Sequence, residues 1–531
     1  MEILLFLIAS YVLLSLSLYK VFEKAGEAGW KGLVPGLNFM VWCKLIGRPS
    51  WYAVFLLIPI VNLFIFVGMA IDLVRSFGRH SFLDSALTFF YAPGMFLFLG
   101  LSAKEKYEGP ALAAEKAFFG EMEEARKNND QRKLKKLEAR NPYRKSFLRE
   151  WTEAIVFAVF AAAFIRMFLI EAYTIPTSSM EGSLLVGDFL FVSKAHYGIR
   201  TPQTVLMIPL LHNRIPVIGG ESYLEKPNIP FTRLPALEKI DRNDPVVFNY
   251  PEGDSVFVTP GRVYSIYDVR RNPGFLAEVP RRYKLITRPI DKKDHYIKRC
   301  VGAPGDSIQV IDRQLYINGQ PAQNPTEIQF NYLVTTPSTL NTRRFEEWGI
   351  SEEDVREKGP NYYILTLSEG QKEKVRSLDP AIQIEPVDMV DFQRRRGIDP
   401  YNLFPYDKQK YPNWTVDNYG PLYIPKKGAT IPLDPAGLAP YRRIIEVYEN
   451  NTLEFRDGQA YLNGQPADSY TFQQDYYWMM GDNRHNSEDS RVWGYVPADH
   501  VVGKPLFIWF STNGGLGGIR WNRLFTTANR M

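Results

Sequence analysis

At 531 residues the chain exceeds the size at which a single hydrophobic core stops growing, so more than one folded body is expected. Its formal surplus of five positive charges lies within residues 102–149, where thirteen Lys and Arg face eight Asp and Glu; the remainder is balanced at fifty of each. This argues against the basic stripe of a nucleic-acid-binding domain, and two distant cysteines without a Cys/His cluster argue against a disulfide framework or a structural metal.

Residues 3–19 are apolar and uncharged, nearly long enough to cross a hydrocarbon core of about 30 Å. Glu2 leaves no basic leader and no small-residue cleavage pattern follows, so a retained anchor is expected rather than a signal peptide. Further spans are predicted at 51–71, 85–101 and 151–170, with Arg166 snorkelling near the end of the last. The stretch 32–46 is apolar enough for a half-helix or a fifth span. Lys20, Lys24, Lys31, Lys44 and Arg48, together with the basic 102–149 segment, place those connections in the cytoplasm and everything after Ile170 outside. The domain reading is a membrane region over 1–103, a charged cytoplasmic helical linker over 104–149 and an anchor over 150–170.

After Ile170 short apolar runs alternate with Gly, Pro, Asn and Asp, the pattern of a mostly β domain. Strands are predicted within 184–192, 245–249, 295–301 and 307–311. Asn318-Gly319 and Asn463-Gly464 are type I′ hairpin turns, set in a repeat, Gln314 to Ala322 and Gln459 to Ala467. The fold class is therefore an α-helical transmembrane region followed by an extracytoplasmic β domain in two parts, 171–323 and 444–531. An inserted α+β subdomain, 324–443, has helix starts at Ser351 and Ser368.

Three segments carry the chemistry. Tyr173-Thr-Ile-Pro-Thr-Ser-Ser-Met180 offers serine hydroxyls just beyond the last span. A serine attacks an amide only with a base in reach, and no histidine has a convincing setting. Lys298, within His295-Tyr-Ile-Lys-Arg-Cys-Val301, sits in an apolar run whose burial would keep its amine neutral. The loop Met479 to Pro497 concentrates Asp, Asn, Ser and Arg, of which Ser487 or Asp489 would orient the lysine. His485, in that polar loop, is expected to be exposed.

Together these segments resemble bacterial signal peptidase I, over 171–188, 242–251, 294–306 and 479–510. The resemblance implies a membrane-anchored serine endopeptidase that removes signal peptides from exported preproteins after small-x-small motifs, without metal or cofactor. It assigns Ser179 as nucleophile, Lys298 as general base, and Thr177 with the Ser179 N–H as oxyanion hole. Ser487, Asp489 and Arg491 become supporting residues, and Tyr173, Ile175, Pro176, Leu184, Tyr296 and Ile297 line the substrate groove. It places the protein in the bacterial inner membrane with its catalytic domain on the periplasmic side. Preproteins and the lipid bilayer are then its partners, with no role for nucleic acid. Glu181-Gly182 stands where the family usually has Pro-Thr, and His485 where it often has Asp. The runs 506–510 and 206–218 are candidates for dipping into the membrane interface. A non-catalytic module that binds exported chains is the rival reading. A self-cleaving Ser/Lys repressor would need a DNA-binding helix pair that the sequence does not offer.

Overall fold

The computed structural model describes residues 2–58, 61–216, 219–341, 343–513 and 518–528. Two compact units result, Met1–Ala158 and Val159–Met531.

The first unit is helical: α1 (Glu2–Lys24), α2 (Leu37–Ile46), α3 (Val61–Arg75), α4 (Phe82–Leu101), α5 (Ala111–Lys127), α6 (Gln131–Ala139) and the first half of α7 (Phe147–Phe168). The Ser81 hydroxyl caps α4 by accepting from the Asp84 N–H. Lys24 Nζ donates to the carbonyls of Leu99 and Ser102, which satisfies backbone acceptors left open at the end of α4. Trp42, fully buried, packs edge-on against Phe96 and donates from Nε1 to the Met69 carbonyl. Among the described residues, α4 and α7 are the two helices long and apolar enough to cross a membrane. The predicted span 51–71 is instead divided between a 3₁₀ turn, Ser50–Leu57, and α3, with residues 59–60 outside the described residues. The stretch 32–46 contributes the short helix α2, closed by Gly47 in the left-handed conformation. The charged linker is two helices rather than one, because Asn129 turns left-handed and Asp130 recaps the chain through the Lys133 N–H.

The second unit is built on a seven-stranded sheet. Its strands are β1 (Ile170–Thr174), β2 (Asp188–Ser193), β3 (Pro245–Asn249), β4 (His295–Gly302), β5 (Tyr476–Met480), β6 (Val496–Pro497) and β7 (Val501–Ser511). The order is β1-β2-β7-β3-β4-β5-β6, antiparallel throughout. Ile175, Met180, Leu184, Leu190, Val247 and Ile508 form the apolar cluster beneath β1 and β2. Ile508 thus takes part of the 506–510 run into the core. Leu206, Ile208 and Leu210 are exposed, and residues 217–218 of their stretch lie outside the described residues.

The sequence repeat folds as a structural repeat. Gln320 pairs with Ile317 and Pro321 with Tyr316, as Gln465 pairs with Leu462 and Pro466 with Tyr461. Both Asn-Gly pairs have positive φ, as a type I′ turn demands. Even the side-chain bonds recur: Gln314 Nε2 donates to the Leu315 and Ala322 carbonyls, and Gln459 Nε2 to those of Ala460 and Ala467. The inserted segment builds its own four-stranded sheet, in the order Val355–Lys358, Tyr362–Leu367, Phe330–Thr335, Gln383–Pro386. Capping boxes open a 3₁₀ turn at Ser351 and the helix Glu369–Arg376 at Ser368. Its later part differs from a separate subdomain. Tyr419–Tyr423 pairs with Ser307–Ile311, and Phe404, Tyr419 and Leu422 join the core around Trp478 and Tyr495.

Candidate active site

Pro176 and Thr177 continue the extended path of β1, and a single 3₁₀ turn, Ser178–Met180, follows. Ile175 and Met180 are both buried in the apolar cluster, so the loop is pinned at each end and Ser179 is left half-exposed between them. On β4 the side-chain alternation sends Lys298 and Arg299 to opposite faces. Lys298 is 3 % exposed, and its Nζ donates to Ser179 Oγ at 2.7 Å and to the Ile297 carbonyl at 2.9 Å. Burial pulls its pKa down to about 8, against the opposing pull of Asp489, Glu488 and Asp482. Thr177 Oγ1 lies 3.5 Å from Ser179 Oγ.

On the other face, Arg299 makes a two-pronged ion pair with Asp482, 2.7 Å at both contacts and fully buried. The pair joins β4 to the loop after β5. That loop returns to the nucleophile through backbone: the Asn483 N–H donates to the Ser179 carbonyl at 3.2 Å. Gly481 permits this approach, since a Cβ there would stand 2.4 Å from the Ser179 carbonyl oxygen and 2.2 Å from Ser487 Oγ. Asn486 Nδ2 donates to Ser178 Oγ at 2.7 Å, a contact absent from the sequence expectations although Asn486 lies in the same loop.

The supporting residues divide. Asp489 accepts from the Gly481 N–H and from Arg491 Nε and Nη2, and these donors hold its carboxyl below the usual range despite burial. Ser487 lines the cleft beside Lys298, but its hydroxyl is buried without a hydrogen-bond partner. The exposed His485 of the sequence reading is corrected: its side chain is fully buried. Its Nδ1 accepts from the Asn331 N–H at 3.1 Å and its Nε2 meets Asp417 at 2.7 Å, so the inserted segment grips the loop through this ring. Burial lowers its pKa and keeps it neutral in that geometry. Glu181, next to Met180, is buried against Asp354 of the insertion, and burial with this second carboxyl raises its pKa. No local sequence signal joins residues so far apart.

A cleft of about 1030 Å³ opens over the serine and lysine. Tyr173, Ile175, Pro176, Thr177, Tyr296 and Ile297 line it. Leu184 does not: it is fully buried in the cluster beneath. Tyr173 donates to Glu171 at 2.6 Å, and Glu171 also binds Lys194 and Arg166. Arg166, near the end of α7, is thus paired with the first carboxylate beyond the helix.

A serine hydroxyl against a buried amine, at the edge of an open β-walled cleft, is an arrangement that can support nucleophilic attack by the serine, the chemistry of a serine peptidase. Residues 148–363 and 437–510 match the family described as signal peptidase, peptidase S26, and the chain belongs to this family of serine endopeptidases. Residues 30–110 match a second family, of unknown function (DUF5684). Curated relatives named signal peptidase I include those of Haemophilus influenzae, 25 % identical over 70 % of this chain and 73 % of the relative. That of Buchnera aphidicola subsp. Acyrthosiphon pisum is 24 % identical over 75 % and 86 %, and that of Pseudomonas aeruginosa 23 % over 68 % and 73 %.

Proposed function

We propose that this peptidase removes signal peptides from exported preproteins with Ser179 as nucleophile and Lys298 as general base. The observation that carries the dyad is the 2.7 Å contact between Lys298 Nζ and Ser179 Oγ in a setting that favours the neutral amine. Once neutral, Lys298 takes the Ser179 proton as Oγ attacks the carbonyl preceding the cut. Thr177 Oγ1 and the Ser179 N–H hold the developing oxyanion, a donor pair of the kind that stabilises it by about 3 kcal/mol each. The departing amine takes the proton from Lys298. Lys298, neutral again, then deprotonates a water that attacks the acyl carbonyl, and it returns that proton to Ser179 Oγ as the ester bond breaks and the acid leaves.

The Asp489–Arg491 pair serves this step by leaving a largely neutralised carboxylate behind the lysine. A free carboxylate there would hold Lys298 protonated. Small residues before the cut fit the groove of Tyr173, Ile175, Pro176, Tyr296 and Ile297, which accepts small-x-small motifs. The apolar helices α4 and α7 support membrane anchoring, and the basic 102–149 segment supports a cytoplasmic linker with the β domain on the periplasmic side. A shared bilayer then raises the effective concentration of enzyme and membrane-inserted substrate.

The test is cleavage of a preprotein bearing a small-x-small site by the full-length protein. Ser179→Ala and Lys298→Ala should each lower kcat by at least about a thousandfold. Processing that survives both changes would refute the dyad.

A further inference from the structure

The groove just described uses only part of the cleft. Another wall comes from residues 252–293, outside the stretches that carry the catalytic motifs, and Arg262, Tyr264, Asp268 and Phe275 lie on it. This segment is ordered. Strand Ser255–Val258 pairs with Val263–Ser265 and with Leu285–Thr287, and a capping box at Ser265 starts the helix Ile266–Arg271. Arg271 anchors that helix, with Nη2 donating to Asp268 at 2.8 Å and Nη1 to Glu252 at 3.1 Å.

The tip of the hairpin reaches the catalytic loop. Arg262 Nη2 donates to Glu488 Oε2 at 2.7 Å, and Glu488 stands between Ser487 and Asp489 in the chain. The wall is thus tied to the same loop that flanks Lys298. Its outer part carries Phe275, 87 % exposed, and the inserted segment adds Ile398, 53 % exposed, to the same cleft. A benzene ring left in water within a cleft is a surface built to be covered. The polypeptide proposed to occupy the groove would reach it, because groove and wall line one continuous space.

We propose that Phe275, with Ile398, is a specificity-determining contact that receives an apolar side chain of the preprotein lying outside the small-residue groove, on a wall held in place by Arg262–Glu488. This deepens the dyad reading and rests on it. The experiment uses full-length enzyme and two preproteins with the same small-x-small site. One carries apolar residues flanking that site within about six positions of the cut, and the other carries serine at those positions. Wild type should favour the apolar form by about tenfold in kcat/KM. Phe275→Ser and Ile398→Ser, both changes of exposed side chains that leave the core intact, should each reduce that ratio several-fold, and together bring it near one. A wild-type ratio near one, or a ratio unchanged in the double variant, overturns the proposal. Ser179→Ala separates the two levels: if it still cleaves, the dyad reading falls, and if it is inactive while the ratio persists in the double variant, only the cleft-wall contact falls.

Discussion

Lys298 is the titrating group on which the proposed chemistry depends. With its pKa drawn down to about 8, the neutral amine gains population as pH rises through that value, so kcat/KM should climb with an apparent pKa near 8 and then level. A pH-rate profile checks this, and an acid limb near the unperturbed lysine value of about 10.4 would refute the buried-base reading. Glu181 titrates with the opposite consequence. Its pKa is raised in the fold by burial and by Asp354, so between the usual carboxylate range and its folded value the native state keeps a proton that the unfolded chain has lost. Stability therefore falls as pH rises across that window. Glu181→Gln should unfold at a higher temperature than wild type at pH 8 to 9, with the gap closing toward pH 4, in thermal scans of both proteins. The closeness of Ser179 and Lys298 was legible only through the resemblance of the three segments taken together, because read singly each residue also fits an ordinary structural role, a turn cap or a snorkelling strand lysine. Glu181 and His485 were not, because their partners, Asp354, Asn331 and Asp417, come from distant segments that only the fold brings close.

Among elements, the join between β4 and the loop after β5 bears the structural weight of the site. Arg299 and Asp482 are both buried, and deleting one partner strands the other charge without water. Asp482→Ala should cost about 3–5 kcal/mol, read from denaturant unfolding, whereas exposed pairs such as Lys127–Glu123 should cost less than about 1 kcal/mol. The hairpins were the most legible elements, since Asn-Gly leaves the backbone few choices and the repeat announces itself twice. The far end of the insertion was the least legible. Its Tyr419–Tyr423 strand belongs to the sheet begun at Ser307, a long-range pairing that no local periodicity encodes.

At the level of the whole molecule, charge asymmetry rather than helix length sets the topology proposed. Both cysteines, Cys43 and Cys300, are buried and give no background to thiol labelling. A cysteine placed at exposed Gln320 should react with an impermeant maleimide added outside intact spheroplasts, and one at exposed Lys127 only after lysis. The reverse pattern would invert the orientation. The β character of the second unit was readable from its turn residues, and the helical character of the first from its apolar runs. The kink at Tyr91 and the break after Leu57 were not, because Pro93 and the two sides of that break lie inside stretches that hydropathy reads as continuous.

Glu171 gives the anchor a further part to play. One carboxylate takes Arg166 from the last turn of α7 and the hydroxyl of Tyr173 from the groove, so the end of the helix and one wall of the cleft share a single anion. A membrane helix leans when its apolar length exceeds the hydrocarbon thickness around it. With α7 in the bilayer as proposed, this carboxylate is the contact through which a change in that lean would reach Tyr173 and the groove.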